Sequence, residues 1–164
     1  MNAQPAPDST EVMRRLRAEL GALRRITGSQ RLDRLVAVRS GVSIGVAAVG
    51  VLGQLINDGP MRMSDLADSV RTHPAALTRQ VQALESEGFV ERATDPLDGR
   101  ASVVTVTDEG RIAHRRIEEA NNELMVEQLD SWSVSELTEL VEQLDRLVAD
   151  LRAVPASRRP KAAG

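Results

Sequence analysis

The stretch from Met63 to Thr107 constrains the fold of this chain more than any other. Ser64 suits the N-cap of a short helix, with Asp65 in the first turn, where a carboxylate meets the positive end of the helix dipole. Arg71-Thr72-His73-Pro74 interrupts that helix, because proline is accepted only in the first turn of a following one. A second helix is predicted over Thr72–Ser86, with Leu77, Val81 and Leu84 spaced four and three apart along one apolar stripe. Gly88 stands just past its end, as a terminating glycine should. Phe89-Val90 and Ser102-Val103-Val104-Thr105-Val106 are the β-branched or aromatic runs that strands prefer, and Asp95-Pro96-Leu97-Asp98-Gly99-Arg100 between them is turn chemistry.

Helix, turn, helix and hairpin in that order make the plan of a winged helix-turn-helix. With the leucine stripe turned to a core, the opposite face of the second helix shows Ala75, Thr78, Arg79 and Gln82. Such residues permit close approach to a major groove and hydrogen-bond base edges or phosphates. Thr72 or His73 would meet a phosphate beside the helix N-terminus. Arg100, near the hairpin tip, suits a minor groove, with Asp98 holding it by a charge-assisted bond. The expected partner is double-stranded DNA.

The same stretch resembles the MarR family of bacterial winged-helix regulators. The hallmark of that family is a wing of the form Asp-x-Arg followed by a strand and Leu-Thr-x-x-Gly. This chain has Asp98-Gly99-Arg100 and then Val106-Thr107-Asp108-Glu109-Gly110, with valine in place of the leucine. The Thr78-Arg79 pair and Leu84-x-x-x-Gly88-Phe89-Val90-x-Arg92 are similar as well. The likeness is close over residues 43–110 and extends to the flanking helices by layout. It implies a homodimer held by the end helices and a repressor acting on a near-palindromic operator. It also implies release from DNA by a small, often anionic aromatic effector in a cleft between the dimer helices and the winged unit. Trp132, His114 and Arg39 read as structural or surface groups, and no effector site is named.

The remaining chain supplies the frame. Residues 1–9 read as a disordered N-terminus. Residues 10–40 read as an N-terminal dimerisation helix region, with Met13, Leu16, Leu20 and Leu23 at helical spacing. That helix is expected to run past a weak point at Thr27-Gly28-Ser29 to Leu32, Leu35 and Val36. Residues 41–107 form the winged unit. Its first helix, capped by Ser43, is apolar nearly all round and therefore buried. Gly45, Gly50 and Gly53 in it suggest close backbone packing, and Met61-Arg62-Met63 adds a short strand to the wing. Residues 108–153 are C-terminal dimerisation helices. Thr107 caps the first of these, with Ile112, Ile117, Leu124 and Leu129 as its apolar residues. Ser131-Trp132-Ser133 breaks it, and Ser133 and Glu136 form a capping box for the second. Leu137, Val141, Leu144, Val148 and Leu151 then give a heptad seam. Residues 154–164 are a disordered basic tail.

Composition closes off several functions. The absence of cysteine excludes disulfides, thiol catalysis, thiolate metal sites and the cysteine-based peroxide sensors of the resembled family. Two histidines are too few for a His-rich metal site. No nucleophile–base–acid set and no glycine-rich phosphate loop is present, so neither an enzyme nor a cofactor is expected. No secretory leader is visible and the most apolar run is too short to span a bilayer, so a cytoplasmic protein without membrane contact is expected.

Net charge is −3, but its distribution is uneven. Residues 1–40 hold eight Arg against four acids, whereas residues 117–151 hold ten acids against Arg146 alone. Residues 59–116 hold eight Arg against nine acids, so DNA affinity must come from a few well-placed arginines rather than from a basic slab. The alternative that this balance favours is a winged-helix protein-interaction module working through its acidic C-terminal helices.

Overall fold

Alternation of helix-forming and β-branched segments gives ten elements in the computed structural model, which describes residues 8–95, 98–99 and 101–153. They are α1 (Ser9–Thr27), α2 (Gln30–Ser40), α3 (Val46–Asp58), β1 (Met61–Arg62), α4 (Met63–Ser69), α5 (Pro74–Ser86), β2 (Val90–Thr94), β3 (Ser102–Val106), α6 (Asp108–Gln128) and α7 (Val134–Arg152). The strands form one antiparallel sheet in the order β1-β3-β2. This mainly helical, winged architecture is the expected one, including the short third strand before α4. The chain divides into two compact units between Leu124 and Met125.

In the first unit the predicted stripe of α5 is the centre of the core. Leu77, Val81 and Leu84 are fully buried against Leu52 and Leu55 of α3, Leu66 of α4 and Val104 of β3. Burying each such side chain contributes roughly 1.5–3 kcal/mol. A second cluster joins Val42 to Ala113 and Ile117 of α6, with Val36, Val49 and Phe89 packed against it.

Several local readings are corrected. The chain does not run through Thr27-Gly28-Ser29 as one helix: α1 ends at Thr27, and the Ser29 hydroxyl accepts the Leu32 N–H to start α2. Gly45, not Ser43, stands at the N-cap of α3, and Arg62, not Ser64, at that of α4. Neither cap supplies a side-chain hydrogen bond; the Ser64 hydroxyl turns to the Asp65 carboxylate instead. Helix α5 begins at Pro74, so Thr72 and His73 precede it. On α6 the buried row is Gly110, Ala113, Ile117, Ala120 and Leu124, and Ile112 is exposed. Small residues at spacings of three and four carry that face, which a search for large apolar side chains misses. Gly45 and Gly50 meet no close neighbour, and Gly53 instead makes room for the His114 ring.

Other features stand as read. The Thr107 hydroxyl accepts the Gly110 N–H and donates to the Gly88 carbonyl, fastening α6 to the end of α5. Gly88 has φ +73°, the left-handed conformation that closes the helix. In the second unit, Ser133 and Glu136 complete the capping box of α7, and the hydrogen bonds from Ser133 hold the Glu136 carboxyl below its ordinary pKa. Among the described residues no helix is long and apolar enough to cross a membrane.

Gly110 is demanded by close approach. A Cβ there would lie 2.1 Å from the Phe89 carbonyl oxygen, on backbone that cannot swing aside. Gly110→Ala is expected to cost at least the ~1–3 kcal/mol of an overpacked site, read by urea denaturation. Gly50→Ala, in open space within α3, is expected to gain up to ~1 kcal/mol from helix propensity. Equal stabilities of the two variants would contradict this account.

Candidate nucleic-acid interface

The outward face of α5 follows from the burial of its stripe. Ala75, Arg79 and Gln82 are exposed, and Ser86 continues their row by one more turn. Neither Arg79 nor Gln82 has a side-chain partner among the described residues, so both head groups are available. Thr78 is half-buried and donates its hydroxyl to the Pro74 carbonyl at 2.9 Å. It therefore suits setting an approach distance better than donating to a ligand.

At the helix N-terminus the His73 Nδ1 accepts the Ala75 N–H at 3.3 Å. The ring is held as the cap, and its Nε2 side faces away from that bond. Thr72 is half-buried, with its N–H donated to the Ala67 carbonyl. Between α4 and α5 the exposed Arg71 has φ +51°, a left-handed conformation costly for a residue with a Cβ. It stands beside the positive end of α5, where backbone amides and cation together favour an anion. In the sequence Arg71 is visible only as part of a helix break, because periodicity does not report a turn's φ.

The wing is the β2–β3 ladder, registered from Val90↔Val106 to Thr94↔Ser102. Beyond it, the Asp95 N–H donates to the Ala101 carbonyl and the Ala101 N–H donates to the Asp98 carbonyl. Asp98 is exposed. Arg100 lies outside the described residues, and with it the expected Asp98–Arg100 bond.

Two ion pairs brace this surface, and sequence spacing disclosed neither. Arg62 of β1 donates through Nε to the Asp95 carboxylate at 2.5 Å, across thirty-three positions. Asp95 is only 6% exposed, and its hydrogen bond and charge push the Arg62 pKa above its ordinary value. The Arg92 guanidinium of β2 forks onto Glu85 of α5, its Nε 3.2 Å from one carboxylate oxygen. Both partners are half-buried. The first pair fixes the base of the wing and the second joins the wing to the end of α5.

Comparison with known proteins agrees with this geometry. The model of the MarR family matches residues 47–102. A helix-turn-helix-type transcriptional regulator of Mycobacterium bovis is 32% identical over 120 residues, covering 73% of this chain and 84% of that protein. A second such regulator, from Bacillus subtilis, is 34% identical over 97 residues, covering 59% of this chain and 68% of that one. Among solved structures, a MarR mutant from E. coli in complex with operator DNA superposes with a TM-score of 0.60 at 25% identity. That match covers 79% of this chain and 93% of the other. The regulator BldR of Sulfolobus solfataricus shares the fold, with a TM-score of 0.69 at 22% identity over 88% of this chain and 99% of its own.

Because Asp95 is buried, its ion pair has a testable role. Arg62→Leu removes the cross-segment bond to a nearly buried carboxylate and is expected to lower the melting temperature by several degrees. Asp95→Asn in the same chain should recover part of the loss. A melting temperature unchanged by Arg62→Leu would remove the pair as a brace.

Proposed function

The chain belongs to the MarR family of winged-helix transcriptional regulators, and on that premise we propose that it is a homodimeric repressor of operator DNA, released by a small-molecule effector. The carrying observation is that Arg79 and Gln82 are exposed, with no side-chain partner among the described residues, on the face of α5 opposite its fully buried stripe. The E. coli MarR of the same fold in complex with operator DNA supports DNA as the partner. Residues 41–107 act as the DNA-binding domain. Arg79 and Gln82 contact bases or phosphates, Ala75 and Thr78 set the approach, and Thr72 or His73 meets a phosphate beside the helix N-terminus. Arg100, with Asp98, reaches the adjacent minor groove.

Residues 10–40 and 108–153 act as the dimerisation regions. Neither α1 nor α7 buries a single residue in the chain by itself. Yet α1 exposes Val12, Met13, Leu20, Leu23 and Ile26, and α7 exposes Val141, Leu144, Val148 and Leu151. Apolar faces of that extent are covered in solution, and a second copy supplies the cover. A two-fold dimer places paired reading helices about one DNA turn apart, as a near-palindromic operator in the cytoplasm requires.

Fluorescence anisotropy with DNA from upstream of the protein's own gene, across a salt series and beside random DNA, tests this reading. Saturable binding at two subunits per site, far tighter than to random DNA, is the expected result. Arg79→Ala is expected to weaken it by ~1–3 kcal/mol, and Arg100→Ala to weaken it strongly with the dimer intact. Full affinity in both variants would remove this face and the wing as the contact surface, and equally weak binding to operator and random DNA would favour a protein-interaction module.

A further inference from the structure

The first unit contains a half-open cavity of about 180 Å³ lined by the end of α1, by α2, by the segment leading into α3 with its first turn, and by α6. Its walls are aliphatic, built from Val36, Val42, Ile44, Val49 and Ile117. That volume is below the ~300–1,000 Å³ of pockets for drug-sized molecules, so its occupant is small.

The polar edge of the cavity has one character. It consists of Thr27, Asp33 and Asn121. The Thr27 hydroxyl is already donated to the Leu23 and Arg24 carbonyls, leaving only oxygen lone pairs. The Asp33 carboxylate and the Asn121 amide have no side-chain partner among the described residues. No arginine, lysine or histidine is among the described lining residues. Helix phase explains this selection. Asp33 lies three and four residues before Val36 and Ala37 and shares their face, whereas Arg31 and Arg34 are exposed.

An anion entering here meets a carboxylate between apolar walls with no cation among the described lining residues, which is doubly unfavourable. A quaternary ammonium lacks N–H donors and finds no aromatic ring in the lining to receive it. A protonated amine gains a charge-assisted hydrogen bond to Asp33 and a second acceptor in the Asn121 carbonyl, and its carbon body fits the walls. We propose that this cavity binds a small primary or secondary amine as its ammonium form, with Asp33 as the counter-ion. The inference deepens the proposed effector release and rests on that reading only for its effect on DNA. It reverses the anionic aromatic effector that the family resemblance implies.

Benzylamine, benzyl alcohol and benzoate share a ring and differ in the head group. Calorimetric titration of the full chain with each should give saturable binding of benzylamine, about tenfold weaker binding of the alcohol, and none of benzoate. Asp33→Asn should bring benzylamine down to the level of the alcohol, and Asn121→Asp should tighten benzylamine. Benzoate binding as well as benzylamine, an unchanged benzylamine affinity in Asp33→Asn, or no saturable binding of any probe would overturn the proposal. Operator binding by the same samples separates the two readings. Intact DNA binding without amine binding refutes the cavity assignment alone. Amine binding that depends on Asp33 but leaves operator affinity unchanged upholds the cavity and refutes effector release through it.

Discussion

The outward face of α5 depends on the burial of its opposite side. Leu77, Val81 and Leu84 are fully enclosed by α3, α4 and the sheet, so rotation of the helix about its axis would expose large apolar side chains. Close packing of that kind is resistant to small shifts. The helix is therefore fixed in both position and phase. The opposite residues, Ala75, Arg79 and Gln82, are held outward without needing contacts of their own. An unpartnered arginine on a rigid helix loses less conformational freedom on binding than one on a mobile loop.

The flanking pieces are tied to that helix by interactions between segments distant in sequence. Thr107 joins the start of α6 to Gly88, and the absence of a side chain at Gly110 lets α6 pass against the Phe89 carbonyl. Arg92–Glu85 links β2 to the last turn of α5, and Arg62–Asp95 links β1 to the root of the wing. Helix α5, the wing beside it and helix α6 thus share one mechanical unit. Net charge is a poor guide to such a surface. The acids Glu85 and Asp95 of the winged unit are engaged internally, whereas Arg79 is not.

Small side chains have two separate uses in this chain. On α6 the sequence Gly110, Ala113, Ala120 lets a helix lie close to its neighbours. At the mouth of α3 and along α2 the medium-sized residues Val36, Val42, Ile44 and Val49 leave space unfilled and so create the cavity. With one Phe and one Trp in 164 residues, the chain has little aromatic volume with which to fill it. Recognition in that cavity accordingly falls to Asp33 and Asn121 rather than to stacking.

By itself the sequence determined what is local and periodic. The α5 stripe, strand β3, the closing glycine after α5 and the capping box of α7 are all set by side chains within a few residues of one another, and each formed as expected, whereas the Phe89-Val90 run gave a strand that starts at Val90 and continues to Thr94. Where two capping candidates competed, the outcome depended on packing: Gly45 and Arg62 took the places expected for Ser43 and Ser64 because the core determines where α3 and α4 must begin. The exposed face of α5 was legible for the same reason as its buried one, since a helix with one apolar stripe has only one other side. Tertiary structure alone decided the Arg62–Asp95 brace, the clash that forbids a side chain at Gly110, and the cavity that brings Asp33 and Asn121 to one edge. Each of these joins residues far apart along the chain, and no spacing rule reports which distant segments a folded core brings together.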